Sequence, residues 1–149
     1  LLLRIAVMLH DVGKYISMNF IAESSYNIIM SNEIIGLSHA ERETIALIAR
    51  YNTREMPPFE ELSQETSIDT GRYLLVAELT AIVRYANSLD RSHMQKVQSI
   101  RAVLREQELR LYLEVNRDFT LEQGLIGEKA DFFYEVFSVR PVLKIKRQI

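Results

Sequence analysis

The apolar periodicity of this chain changes once, and that change limits the folds open to it. Up to Leu89 the apolar residues recur three and four apart; beyond Leu89-Asp90-Arg91-Ser92-His93 they alternate. A helical part must therefore precede a part that contains strands. Leu2, Ile5, Ala6 and Leu9 define a first helix from Leu1 to about His10, with Gly13 as its stop. A second runs from about Ser24 to Met30. Ser38 with Glu41 is a capping box, and Ile45, Leu47, Ile48 and Tyr51 form the stripe of the helix it opens. Between Asn52 and Thr70 the sequence is polar and interrupted by Pro57-Pro58, which predicts a long excursion with at most one helical turn. Gly71 then precedes the longest helix, about Arg72 to Asn87, with Leu75, Leu79, Ile82, Val83 and Ala86 on its apolar side.

After the change, Ile100, Ala102 and Leu104 form one alternating run and Leu109, Leu111, Leu113 and Val115 another, joined by a tight turn at Glu106-Gln107. Thr120 with Gln123 reads as a second capping box, opening a helix that carries Leu125, Ile126, Phe132, Phe133, Val136 and Phe137. Pro141 to Arg147 reads as a strand, and strand, helix, strand over this length predicts a right-handed crossover. The expected fold is mainly α, a helical domain at 1–92 followed by a small α+β lobe at 93–149 made of a β-hairpin, a helix and a strand.

At 149 residues, 48% of them apolar, the chain has enough material for a sizeable core. With no cysteine, it has neither disulfides nor thiolate metal ligands, which fits a reducing cytoplasm. The net charge of −2 gives no overall electrostatic case for DNA binding. No apolar run reaches the roughly 20 residues needed to cross a bilayer, and the opening lacks the pattern of a signal peptide. The chain begins at full helical pattern with Leu1 and no capping residue, which suggests a piece of a longer protein. Leu3, Met8 and other apolar groups of the first helix would then be covered by a preceding helix or a second chain.

Imidazole and carboxylate are the ligand types left for a metal, and His10-Asp11 places both at a helix end, where they can converge. The alternative is a solvated terminus, where a histidine also suits the helix dipole. Lys14, Arg50, Arg54, Arg84, Arg91 and His93 are the cations nearest helix ends and loops. They suit either phosphate recognition or an ion-paired surface. The glycine-rich phosphate loops and the nucleophile elbow are absent from the sequence.

The succession AVMLHDVGKYIS, SSYNIIMSNEIIGLSHAERETIALIARYN and LTAIVRYANSLDRSH resembles the C-terminal, HD-type helical domain of the exopolyphosphatase and guanosine pentaphosphatase (Ppx/GppA) family. The closing EKADFFYEVFSVRPVLKIKR is similar to the small α/β appendix of some bacterial members. The resemblance implies an accessory domain whose hydrolytic centre lies in actin-like N-terminal domains of the same chain. HD hydrolases bind a divalent metal through a preceding His, the His-Asp pair, further histidines and a later Asp. Here Ser24, Asn52 and Asn87 stand at positions where such ligands would be expected, leaving His10 and Asp11 as a vestigial pair. No resident cofactor is then expected in this stretch, although the parent enzyme could use a divalent metal.

Lys14, Arg50, Arg91 and His93 are the expected contacts for inorganic polyphosphate or a guanosine polyphosphate, and a homodimer is the expected assembly. Two rivals remain open: a metal-dependent HD phosphohydrolase with a reduced ligand set, and a pure oligomerisation module.

Overall fold

The computed structural model describes residues 1–147, which form six α-helices, one short 3₁₀ helix and three strands. The protein is mainly α with a small α+β lobe. Two compact units, Leu1–Val83 and Arg84–Ile149, divide the chain within its longest helix.

In the first unit α1 (Leu2–Leu9) is followed by a turn at His10-Asp11 and the 3₁₀ helix Val12–Tyr15. Next come α2 (Ile21–Ser31), α3 (His39–Tyr51), α4 (Phe59–Glu65) and most of α5 (Thr70–Leu89). The core is built on α3, where Ile45, Ala46, Leu47, Ile48 and Ala49 are buried with Ala6 of α1, Ile29 of α2, Leu62 of α4 and Val76 of α5. The expected capping box opens α3: the Glu41 amide donates to the Ser38 hydroxyl, and the Ser38 amide to the Glu41 carboxylate. Leu3 packs against this core, whereas Met8 stays 76% exposed.

Several expectations for this unit need correction. Gly13 does not stop α1, which ends four residues earlier; it is buried inside the 3₁₀ helix. The excursion after Asn52 contains α4, seven residues long, entered through Pro58 and anchored by the buried Leu62. Proline is tolerated there because the position before the helix supplies a carbonyl, which accepts from the Leu62 amide at 3.1 Å, and needs no amide of its own. Asp69, not Gly71, starts α5, its carboxylate accepting from the Arg72 amide at 2.7 Å. The buried side of α5 is also offset from the expected stripe. Val76, Thr80, Ala81 and Val83 are buried, while Leu75, Leu79 and Ile82 are half-buried and Ala86 is exposed.

In the second unit β1 (Val97–Arg105) pairs antiparallel with β2 (Glu108–Val115), and β2 pairs parallel with β3 (Arg140–Arg147) after α6 (Thr120–Phe137). The strand order is β1-β2-β3. Leu111, Leu113 and Val115 alternate into the interior as expected. Their partners on β1 do not: Ile100 and Leu104, opposite Leu113 and Leu109, remain 54% and 64% exposed on an edge strand. The Thr120–Gln123 box does not form. The Thr120 hydroxyl donates to Asp118, and α6 begins after Phe119 without a side-chain cap.

Candidate functional site

The corner that follows α1 is built by one serine. Ser25 of α2 is fully buried; its hydroxyl accepts from the Gly13 amide at 2.9 Å and donates to the His10 carbonyl at 3.2 Å. The 3₁₀ helix is thereby clamped to α2, and Gly13 is required by the closeness of the approach. A Cβ at position 13 would lie 2.3 Å from the Ile21 carbonyl oxygen and 2.5 Å from the Ser25 amide. The clamp fixes the direction of His10 and Asp11. His10 Nδ1 donates to the Val7 carbonyl at 2.7 Å, its Nε2 lies 3.5 Å from Asp11 Oδ2, and the same carboxylate is ion-paired with Lys14.

Each member of the His-Asp-Lys set is thus engaged by its neighbours. His10 and Asp11 supply two donors, and among the described residues no group of three or more His, Cys, Asp or Glu side chains has metal-binding geometry. A catalytic metal needs about three protein ligands and an open position. Two donors fall short of that number.

Arg50 occupies a second polar cluster, at the end of α3. Its Nε donates to Glu23 at 2.9 Å, its Nη1 lies 3.7 Å from Glu65, and the guanidinium stands 5.2 Å and 5.6 Å from the ring centres of Tyr26 and Tyr51. Burial alone would lower the Arg50 pKa, but the hydrogen bond to Glu23 and the charges of Tyr51, Glu23 and Glu65 outweigh it and hold it above its usual value. Burial pushes the Tyr26 and Tyr51 hydroxyls up. Arg54 shares Glu23 with Arg50. A cleft of about 320 Å³ opens here, lined by Arg50, Tyr51, Arg54, Glu55, Pro57, Glu61, Leu62 and Glu65. With three carboxylates and two guanidinium groups on its wall, it is no concentrated cationic pocket.

Arg91 and His93 belong to the second unit, in the turn after α5. His93 is exposed and takes a left-handed backbone conformation, φ 52°. The turn is held from α6 by Glu122, which is fully buried. Its carboxylate accepts from the Ser92 hydroxyl at 2.6 Å and from Lys96 Nζ at 2.9 Å. Burial would raise the Glu122 pKa, but these two bonds and the amides of Glu122 and Ser92 bring it down to about 2. Arg84 does not share a helix face with Arg91, because α5 ends at Leu89; it is buried, with its guanidinium 4.4 Å from the Phe132 ring centre.

The structure therefore places Lys14 and Arg50 in separate ion-paired clusters of the first unit, and Arg91 with His93 in one turn of the second. Ser25, Glu23 and Glu122 are the positioning residues that the sequence does not single out. Each acts on a partner at least 12 residues away, and no local spacing marks such a pair.

Against known families, Ppx/GppA phosphatase, domain III, matches residues 1–131. No curated protein matches the chain. The family match spans the first unit and continues into α6 of the second, taking in the Ser25 clamp, the Arg50 cluster and the Glu122 turn. With most of its length accounted for by that domain, the chain belongs to the Ppx/GppA phosphatase family.

Proposed function

We propose that the chain is the accessory C-terminal domain of an exopolyphosphatase-type enzyme, an HD-like helical domain that contacts polyphosphate and builds a homodimer in the cytoplasm. The observation that carries this reading is the match to domain III of the Ppx/GppA phosphatases over residues 1–131. Hydrolysis belongs to N-terminal actin-like domains of the same chain. Lys14, Arg50, Arg91 and His93 contact the anion, Lys14 and Arg50 by exchanging the carboxylates that now hold them for phosphate. The dimer is supported by apolar side chains of the first unit that remain in water, among them Met8, Tyr15 (93% exposed) and Phe20.

Phosphate release from long-chain polyphosphate by the 149-residue chain, with and without added Mn²⁺ or Mg²⁺, tests the accessory role. No release above the buffer rate is expected. Release that copurifies with the chain and disappears in Asp11→Asn would instead favour a metal-dependent HD phosphohydrolase.

A further inference from the structure

The net charge of −2 conceals an uneven distribution. Leu1–Val83 has six Lys and Arg against eleven Asp and Glu, a net of −5, whereas Arg84–Ile149 has twelve against nine, a net of +3. Much of the excess lies on one surface. Along the strands, side chains alternate between the two faces of the sheet. Leu111, Leu113 and Val115 are buried on one face, so Arg110, Tyr112 and Glu114 stand on the other. The register adds Arg101 and Lys144 on either side of Tyr112, Lys146 beside Glu114, and Arg105 opposite Glu108.

Of these cations, Arg110 is paired with Glu108 at 2.9 Å. Among the described residues, no carboxylate lies within ion-pair distance of Arg101, Arg105, Lys144 or Lys146. All four are exposed. Residues two apart on a strand are about 7 Å apart, and residues two strands apart about 10 Å. The four charges are therefore spaced along one face of the sheet, as an extended anion requires, and do not converge as a single phosphate site would demand.

We infer that the outer face of the β1-β2-β3 sheet is a binding track for linear inorganic polyphosphate, contacted by Arg101, Arg105, Lys144 and Lys146. The choice of ligand rests on the family reading; the location rests on register and charge. Polyphosphate carries about one negative charge per residue and no bases, so spaced cations and counterion release suffice to hold it. Single-stranded RNA is less well served. The aromatic group on this face, Tyr112, already has the Arg101 guanidinium 4.5 Å from its ring centre, and base stacking needs an open ring.

The test is titration of the 149-residue chain with fluorescently labelled long-chain polyphosphate at low salt, with Lys144→Glu/Lys146→Glu and Arg101→Glu variants checked for an unchanged melting curve. Each variant should bind at least about tenfold more weakly, with a shallower salt dependence than the wild type. Glu108→Gln, which releases Arg110, should bind more tightly. A Lys14→Ala/Arg91→Ala variant assayed alongside separates this track from the helix-end cations. If that variant loses affinity while the sheet variants retain it, the track is wrong and the accessory reading stands. If the wild type binds no polyphosphate, both fail, and tighter binding of a single-stranded RNA of equal charge would overturn the choice of ligand.

Discussion

Gly13 sets the geometry of the His10-Asp11 corner by having no side chain. The atoms that a Cβ would meet at 2.3 Å and 2.5 Å are backbone atoms of α2, which cannot swing aside. Gly13→Ala should therefore destabilise the chain by about 1–3 kcal/mol, the usual range for forcing a carbon into a filled site. In urea the midpoint should fall with the slope unchanged; an unshifted midpoint would mean that the clamp between the 3₁₀ helix and α2 yields easily. The sequence marks Gly13 as a helix stop, but its actual role is to let the backbone of α2 approach at Ile21 and Ser25, which no local spacing reveals. His10 and Asp11 were legible as helix-end residues. That Asp11 is held by Lys14, and Arg50 by Glu23, depends on rotamers and on packing between helices, which no spacing rule encodes.

At the scale of elements, the start of α6 shows how a buried charge can join two segments. Glu122 holds the turn after α5 through Ser92 and Lys96, and its pKa of about 2 lies below the 4.5 of a free glutamate. Because the folded state binds this proton less readily than the unfolded state, the stabilisation is complete above about pH 4.5 and is lost as pH falls towards 2. Glu122→Gln, which leaves Lys96 without its carboxylate, should cost about 3 kcal/mol at pH 7. The gap from wild type should narrow across that acid window; parallel pH profiles would show that Glu122 does not carry the effect. Element types were readable from the change of period, and the hairpin turn and the parallel third strand follow from it. The interior-facing side of each element was harder to read. Ile100 and Leu104 have the pattern of core residues but lie on an edge strand in water, and the buried side of α5 is centred on Val76, Thr80 and Ala81, beside its apparent stripe.

For the whole molecule, composition misleads by averaging. A total of −2 gives no sign that one unit is at −5 and the other at +3, since the division depends on where the fold cuts the chain. The four cations of the proposed sheet track all lie in the positive unit. No helix among the described residues is long and apolar enough to cross a membrane. On the proposed function, the domain holds long polyphosphate by distributed charge. The most direct test is the affinity of the wild-type chain for polyphosphates of increasing length, measured at about 50 mM and about 200 mM salt. Affinity should climb with chain length and fall steeply with salt; no binding of long chains at the lower salt, or affinity indifferent to length, would rule out a hold by distributed charge.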